Sequence, residues 1–202
     1  MNTESLWMHT SEVAYMSEDG RAAHPSHLAV TERIAALHTG APFELLDCGI
    51  LSGVTYRHLL AAGLEVDYTG IDINGLALAD CRELHPEARW RQMSITDLAF
   101  PEGSFDVVNC RHVLESLPYY ETAVRELFRV SRRTVAICMF QVPRDPEVLL
   151  RRETANGYIW LNRYAPGPFE ALLHSLSESV ETVDVTADNG RNRIFFCTKR
   201  SA

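Results

Sequence analysis

Apolar residues along the chain fall into short continuous runs separated by longer stretches with helical spacing. The short runs predict five buried strands, at residues 43–50, 65–73, 88–95, 104–113 and 134–140. The stretches between them predict helices, at residues 54–63, 75–85 and 119–131. Gly63 closes the first of these helices and Pro86 stops the second. Strands that alternate with helices in this way are typical of βαβ units and of a mainly parallel sheet.

The two ends of the chain depart from this alternation. Toward the C-terminus the pattern predicts one helix and then two strands, at residues 168–177, 179–187 and 192–200. The strands are separated by Asp188-Asn189-Gly190, a strong tight-turn signal. A hairpin after a parallel run implies that an antiparallel strand is inserted in the sheet. Near the N-terminus, residues 26–38 have helical spacing, with Ser26 as the candidate N-cap.

These elements predict an α/β fold, a doubly wound and mainly parallel seven-stranded sheet with helices on both faces and a C-terminal antiparallel hairpin. A length of 202 residues suits one domain. Within it we expect residues 1–40 to form an N-terminal arm and helix and residues 41–202 to form the core. Residues 141–168 lie outside the alternation and are expected to be an insertion on the substrate side.

Composition narrows the class of partner. The net charge is −8, and nucleic-acid phosphates usually call for a basic surface, so a nucleic-acid partner is disfavoured. No apolar run approaches the roughly 20 residues needed to span a bilayer. Residues 1–20 are polar and acidic, unlike the apolar core of a signal peptide. We therefore expect a cytoplasmic protein that acts on a small molecule without binding a membrane.

The cysteines and paired histidines offer no metal-binding pattern. The five cysteines show no C-x-x-C spacing and are expected to be buried free thiols: Cys48, Cys81, Cys110, Cys138 and Cys197. His24 and His27 lie three residues apart, but no cysteine or carboxylate stands beside them to complete a ligand set. We expect no metal.

The loop after the first strand carries the clearest chemical signal. It reads Asp47-Cys48-Gly49-Ile50-Leu51-Ser52-Gly53. Its glycines allow a sharp turn and a close approach to a ligand, and the next helix offers free N–H groups. Asp72 ends the second strand, where an acid accepts hydrogen bonds from ribose hydroxyls.

With these motifs the chain resembles the class I S-adenosylmethionine-dependent methyltransferases, from about residue 43 to residue 200. The loop stands where that family has D/E-x-G-x-G-x-G, and Gly70-Ile71-Asp72-Ile73 stands at its second, acidic motif. Residues 94–106, SITDLAFPEGSFD, stand at its third region, followed by NCRHVLESL after the fourth strand. Three departures are Leu51 for the middle glycine, Ser94 for an adenine-binding acid, and Ser131-Arg132-Arg133 for a K-P-G-G turn.

The resemblance implies S-adenosylmethionine as the cofactor and S-adenosylhomocysteine as its product. Gly49 and the backbone around Ile50 would face the methionine part, while Asp47 would orient the loop or reach the cofactor's ammonium group through water. Asp72 would bind the ribose hydroxyls. Gly53 belongs to the same cofactor-binding loop, and Ile73 would pack on the adenine. Ser94 and Ile95 would lie at the adenine edge, and Cys110 and Arg111 would close the other side of the cofactor. Asp97, three residues beyond Ser94, is a substitute for the missing acid, though its register matches a less critical position.

Catalysis and substrate binding are expected around the fourth strand and in the two segments outside the core. His112 follows that strand and is the candidate general base, whereas Glu115 is interpreted as a surface or capping residue. Aromatics mixed with arginines suit a flat or anionic substrate. They lie in the N-terminal arm and in the insertion: Trp7, His9, Tyr15, His24, His27, Gln141, Arg144, Arg151, Arg152, Tyr158, Trp160, Asn162, Arg163 and Tyr164.

The leading hypothesis is methyl transfer to an oxygen or nitrogen of a small molecule. The alternative is a catalytically silent, methyltransferase-like subunit that binds a partner protein, motivated by the three departures. A nicotinamide-dependent oxidoreductase ranks last, because Leu51 and Val54 occupy later glycine positions of G-x-G-x-x-G.

Overall fold

A computed structural model describes residues 6–8, 24–38, 41–155, 157–187 and 190–200 of the chain. Seven strands form one sheet in the order β3-β2-β1-β4-β5-β9-β8. Their bounds are β1 Phe43–Cys48, β2 Val66–Asp72, β3 Arg89–Gln92, β4 Phe105–Arg111, β5 Ser131–Met139, β8 Ser177–Ala187 and β9 Gly190–Lys199. The first five strands pair in parallel, and β9 pairs antiparallel with both β5 and β8. The predicted fold class is confirmed, including the inserted antiparallel strand.

Two hydrophobic cores cover the two faces of this sheet because successive strand residues point to opposite sides. On one face, Val108 and Phe195 pack in a cluster with residues of α4 and α5; on the other, Val107 and Ile194 pack with residues of α1, α2 and α3. The helices span α1 Pro25–Leu37, α2 Val54–Ala61, α3 Gly75–Leu84, α4 Glu121–Val130 and α5 Pro166–Leu176. No helix within the described residues is long and apolar enough to cross a membrane.

The ends of α1 and α2 show how local chemistry sets these elements. The prediction of Ser26 as the N-cap of α1 is wrong, since His24 caps the helix and its Nδ1 accepts from the Ser26 N–H at 3.3 Å. Pro25 fills the first turn, where a missing N–H costs nothing. Gly63 adopts a left-handed φ of 71° after α2, and the Leu64 N–H bonds to the Leu59 carbonyl, as expected for a Schellman ending.

The segment that stands in place of the K-P-G-G turn is part of the sheet. Helix α4 runs directly into β5, which begins at Ser131, earlier than predicted. Arg132 fixes this junction by donating to the carbonyls of Gly103 and Ser104, each at 2.8 Å, and by pairing with Asp106. Asp106 also accepts from the Glu44 N–H at 2.9 Å. Asp106, the acid of the third motif, therefore links β1, β4 and β5 near the amino ends of these strands.

The insertion contains a hairpin that the apolar pattern did not predict. Strands β6 (Arg151–Thr154) and β7 (Gly157–Trp160) form a separate two-stranded antiparallel sheet. Strand β3 is shorter than predicted, covering only four residues of 88–95. Two residues of the predicted turn at 188–190 lie outside the described residues. All five cysteines are buried and free, four of them in strands of the large sheet and Cys81 in α3.

Candidate functional site

A cavity of about 250 Å³ opens where β1, β2 and β4 end, at the carboxyl edge of the sheet. Ligand sites of doubly wound folds lie at this edge, where the strand order reverses. The lining residues are Trp7, His24, Gly49, Leu51, Asp72, Ile73, Asn74, Met93, Ser94, Ile95, Arg111, His112, Val113, Ser116, Leu117, Pro118, Tyr158 and Trp160. Seven of the eleven predicted site residues are among them: Gly49, Asp72, Ile73, Ser94, Ile95, Arg111 and His112.

The β1–α2 loop forms one wall with its backbone. Gly49 has a φ of 76°, and a Cβ there would lie 2.2 Å from Val113 Cγ2, so the position needs glycine for both conformation and space. Leu51 also has a positive φ, 48°, and its side chain lines the cavity. The loop thus keeps a glycine-like backbone where the family's middle glycine is missing. Gly53 caps α2 and faces Cys81 and Trp90, away from the cavity lining.

The carboxylate of Asp72 links this loop to the next one. Its Oδ2 accepts from the Leu51 N–H at 3.1 Å and its Oδ1 accepts from the Asn74 N–H at 2.9 Å. Burial raises the pKa of Asp72, and these backbone hydrogen bonds oppose that shift. Asn74, which sequence reasoning missed, caps α3 through its side chain at the N–H groups of Leu76 and Ala77. An asparagine just before a helical run was the available signal.

Asp47 supports the loop from below and does not line the cavity. It is 3% exposed, and its two oxygens accept from the Tyr68 hydroxyl at 2.6 Å and from Asn109 Nδ2 at 2.7 Å. Burial raises its pKa, and the bonds from Tyr68 and Asn109 counteract the shift. Cys110 and Ile50 are likewise buried behind the lining, in the two cores. These predicted cofactor residues hold the loop rather than face the cavity.

Ser94 and Ile95 lie at the cavity after β3. The Ser94 hydroxyl pairs with Thr96 Oγ1 at 2.8 Å and also accepts from the Thr96 N–H, which fixes a turn. Asp97 is exposed and stands outside the lining. The structure therefore offers the Ser94 hydroxyl, and not the Asp97 carboxylate, at this position.

Arg111 and His112 lie at the other end, where β4 ends. Arg111 Nη1 donates to Ser26 Oγ and to His112 Nδ1, both at 3.2 Å. His112 has a φ of 58°, and its Nε2 lies 3.4 Å from Cys138 Sγ. Burial holds the pKa of His112 well below its usual range, and the charges of Arg111 and His24 add to the effect. The imidazole is therefore neutral at neutral pH.

Glu115 corrects the sequence interpretation, because it is fully buried and not a surface residue. Its Oε1 accepts from the N–H of Phe140 at 2.7 Å and from that of Gln141 at 3.4 Å. Its Oε2 is buried without a hydrogen-bond partner among the described residues. Burial raises the pKa of Glu115 to about 7. The side chain fastens the end of β5 to the short helical turn Leu114–Ser116, which adjoins the cavity wall.

The insertion is fastened to the same turn. The Tyr164 hydroxyl, buried, lies 2.7 Å from the Leu114 carbonyl and 3.0 Å from that of Leu117. The Asn162 N–H donates to the carbonyl of Glu115 at 2.9 Å. Asn162 and Tyr164, predicted as substrate-facing, are instead buried anchors that place the β6–β7 hairpin over the cavity.

Three large aromatic side chains also line the cavity, Trp7, Tyr158 and Trp160. Trp7 lies in the short turn Leu6–Met8, which packs against β7, and Tyr158 and Trp160 lie on β7. The arginines of the insertion do not line the cavity. The guanidinium carbon of Arg151 lies 4.1 Å from the centre of the Tyr158 ring, and Arg151 pairs with Glu153. Arg144, Arg152 and Arg163 also stand outside the lining, as do Gln141 and His27. His9 and Tyr15 lie outside the described residues.

Comparisons with known proteins agree with this geometry. Residues 46–139 match the family model described as a methyltransferase domain. The ubiquinone biosynthesis O-methyltransferase of Alkalilimnicola ehrlichii is 31% identical over 112 residues, covering 53% of this chain and 44% of that protein. The ubiquinone/menaquinone biosynthesis C-methyltransferase of Methylobacterium nodulans is 33% identical over 95 residues, covering 44% and 38%. The chain spans less than half the length of these relatives.

The fold is shared more widely. The crystal structure of magnesium protoporphyrin IX methyltransferase from Synechocystis with bound S-adenosylmethionine has a TM-score of 0.70 at 14% identity, covering 96% of this chain and 88% of that one. Strand order and cavity together define a Rossmann-like α/β fold with a cavity at the carboxyl edge of the sheet. The methyltransferase domain match over residues 46–139 and the fold shared with a methyltransferase that binds S-adenosylmethionine agree with the class and the cofactor predicted from the motifs.

Proposed function

We propose that this protein is an enzyme that transfers the methyl group of S-adenosylmethionine to an oxygen or nitrogen of a small molecule. The observation that carries the proposal is the division of one cavity into two chemically different ends. Asp72 and Ile73 follow β2 and Ile95 follows β3, so a carboxylate and apolar side chains lie on one side of β1. Arg111 and His112 follow β4 on the other side of β1, and β7, which carries two of the aromatic rings, packs against the turn after β4. The first end suits a nucleoside and the second an acceptor.

The donor set at the first end fits the cofactor. The Asp72 carboxylate has about four acceptor positions, and backbone N–H groups of Leu51, Asn74 and Ile73 use three of them, so one remains for a ribose hydroxyl. Ile73 and Ile95 offer apolar contact for the faces of an adenine ring, and Ser94 offers a hydroxyl at its edge. Gly49 lines the same cavity with its backbone, because the place of a Cβ there is taken by Val113, and the methionine part is proposed to pass beside it. When bound, S-adenosylmethionine supplies a methyl group already activated by a positive sulfur, so the protein mainly has to align the reacting atoms.

His112 is the proposed proton acceptor where the nucleophile carries a proton. Because arginine only donates, the Arg111 contact assigns a lone pair to His112 Nδ1. That lone pair becomes available if the bound acceptor draws Arg111 away. A base whose pKa is held this low removes protons only from acidic groups. With a phenol as acceptor, His112→Ala should slow transfer below the pKa of the phenol and leave it unchanged above. Slowing of the same size at every pH would remove His112 as a base.

Three further points belong to this proposal. Residues 1–202 are proposed to act as one domain, with residues 41–202 as its core and the hairpin of the insertion 141–168 as the wall of the acceptor end. The cytoplasmic location, the small-molecule partner and the absence of a nucleic-acid partner stay predictions. The alternative, a silent subunit, differs in one measurable respect, because it has no affinity for the cofactor.

Calorimetric titration with S-adenosylmethionine and S-adenosylhomocysteine tests the proposal. We expect micromolar binding of both by the unmodified protein. Asp72→Ala should weaken binding about tenfold or more, since it removes one or two charge-assisted hydrogen bonds of about 1.5–3 kcal/mol each. Asp97→Ala is the matched control and should bind normally, because Asp97 is exposed and outside the lining. Unchanged affinity in folded Asp72→Ala would sink the ribose assignment, and no binding by the unmodified protein would favour the silent subunit.

A further inference from the structure

The acceptor end of the cavity presents hydrogen-bond donors, and they are held in place by one chain of contacts. Arg111 Nη1 donates to Ser26 Oγ, which lies 2.8 Å from His24 Nδ1. The Ser26 N–H also donates to the same nitrogen. A neutral His24 therefore carries its proton on Nε2 and is a donor there. His112 has the same tautomer, since its Nδ1 accepts from Arg111, but its Nε2 lies against Cys138 Sγ at 3.4 Å. Arg111 and His24 are therefore the donors of this end.

The charges at the acceptor end also favour an anion. Among the described residues that line the cavity, Asp72 is the one carboxylate and Arg111 the one arginine, and Asp72 belongs to the nucleoside end. Burial, and after it the field of Arg111, hold the pKa of His27 and of His112 below their usual range. The same field opposes the burial that raises the pKa of Asp47, and it would favour the ionised form of an acidic group bound beside Arg111.

The walls around these donors are flat and apolar. The rings of Trp7, Tyr158 and Trp160 line the cavity together with Leu117 and Pro118. Aromatic rings of this kind stack with planar ligands and exclude water, which strengthens a charged hydrogen bond beside them. Tyr158 is itself held by Arg151, whose guanidinium lies 4.1 Å from the centre of its ring.

We propose that the acceptor is a planar aromatic compound with an acidic oxygen, a carboxyl or a phenolic hydroxyl, which binds as the anion at Arg111 with its ring against Tyr158 and Trp160. This inference rests on the proposed function and names its substrate class. A planar guanidinium matches two oxygens of a carboxylate or the single oxygen of a phenolate.

The reaction then needs little from a base. An electron pair of the ionised oxygen forms the new bond to the methyl carbon. The carbon–sulfur pair returns to sulfur, and the product is the neutral thioether S-adenosylhomocysteine. The proton of the acid has passed to solvent or to His112 before transfer. A methyl ester forms from a carboxylate and a methyl ether from a phenolate.

The charge and the planarity of a probe distinguish the proposed binding of a planar acid from binding that depends on apolar contact alone. In the presence of S-adenosylhomocysteine, the protein is titrated with 2-naphthoate, with its neutral analogue 2-naphthamide and with the non-planar anion cyclohexanecarboxylate, following tryptophan fluorescence and heat. We expect 2-naphthoate to bind about tenfold or more tightly than either of the others. Labelled methyl transfer to 2-naphthoate and to 2-naphthol then distinguishes the carboxyl from the phenolic acceptor.

Variants assign each property to a side chain. Arg111→Gln should reduce the preference for 2-naphthoate over 2-naphthamide to near one, and Arg111→Lys should keep part of it. Trp160→Leu should weaken both planar probes alike. Arg152→Gln is the matched charge control on the same hairpin and should change nothing, since Arg152 is exposed and outside the lining. Each variant is also titrated with S-adenosylhomocysteine, which reports folding and cofactor binding.

The outcomes are distinct for the two proposals. Equal affinity for 2-naphthoate and 2-naphthamide, a preference that survives in Arg111→Gln, or no binding of any probe at millimolar concentration overturns the planar acid. If S-adenosylhomocysteine still binds in that case, the proposed function stands and only its substrate class is lost. Failure of S-adenosylhomocysteine to bind overturns the proposed function itself.

Discussion

The proposed nucleoside end and the proposed acceptor end of the cavity are built in different ways. At the nucleoside end, both oxygens of Asp47 and both oxygens of Asp72 accept hydrogen bonds from the protein. At the acceptor end, Glu115 is as deeply buried, but its Oε2 has no partner among the described residues. The first end joins loops that are close in sequence, whereas the second joins Trp7, Arg111 and Trp160.

This difference shows which part of the site is assembled in advance. A satisfied buried carboxylate rigidifies its surroundings, while an unsatisfied one keeps a desolvation cost in the folded state. The cofactor end therefore depends on backbone geometry that is complete without ligand. The acceptor end depends on one half-satisfied carboxylate and on an insertion anchored by a few long-range bonds.

The largest expected effect comes from breaking the Glu115 contact. Glu115→Ala leaves the N–H groups of Phe140 and Gln141 without their acceptor and opens a void, so we expect a loss of about 3 kcal/mol in the free energy of unfolding. Glu115→Gln retains an acceptor for those groups and should lose less than half as much near neutral pH. Denaturant unfolding of both variants measures this, and equal losses would show that shape rather than the acceptor matters.

The pH dependence of the free energy of unfolding tests whether Glu115 is buried with a raised pKa. With the pKa of Glu115 raised to about 7, the folded state holds a proton that the unfolded state has lost. The contribution of protonated Glu115 to the free energy of unfolding is thus fully present below the pKa of the unfolded state, and it is lost as pH rises through about 7. As pH rises from about 5 to about 8, the free energy of unfolding of Glu115→Gln should therefore increase by about 2 kcal/mol relative to that of the unmodified protein. Asp47, Asp72 and the buried histidines are common to both proteins, so the difference isolates Glu115; a constant difference over this range would contradict the raised pKa.

A smaller effect is expected at the anchor of the insertion. Tyr164→Phe removes the hydroxyl that bonds the carbonyls of Leu114 and Leu117, which should cost about 1–2 kcal/mol in the free energy of unfolding. Tyr119→Phe is the matched control, because Tyr119 is 69% exposed, and it should be neutral. If the two variants were equally stable, the hydroxyl of Tyr164 would not anchor the hairpin.

The smallest effect tests the nucleoside end. Leucine at the left-handed φ of residue 51 carries a backbone strain of about 1 kcal/mol. Leu51→Gly and Leu51→Ala both remove the side chain, and only the first relieves the strain. We therefore expect Leu51→Gly to be the more stable by about 1 kcal/mol in thermal or denaturant unfolding. The reverse order would mean that the loop relaxes out of the left-handed region.

The contrast also explains what could be predicted from sequence. The alternation of strands and helices and the position of Asp72 follow from local patterns, and both were predicted. Local chemistry favours Ser26 as the cap because serine is a preferred N-cap and histidine is not, whereas His24 takes that position. Glu115 has the sequence pattern of a surface or capping residue because its acceptor role depends on the backbone of residues 140 and 141, far along the chain. The hairpin β6–β7 gives no clear signal, since its strands are short and lie outside the sheet pattern.

Strand β9 sits between β5 and β8, and this position has a consequence for biosynthesis. Of the described residues, 190–200 emerge last from the ribosome, yet they fill an interior place in the sheet. Until Phe195 and Cys197 arrive, the edge of β5 is unpaired beside an open apolar core, a template for association between nascent chains. We therefore expect chains shortened before β9 to give a low yield of folded protein. The need for chaperones during expression should depend more on the late arrival of β9 than on the five parallel strands before it.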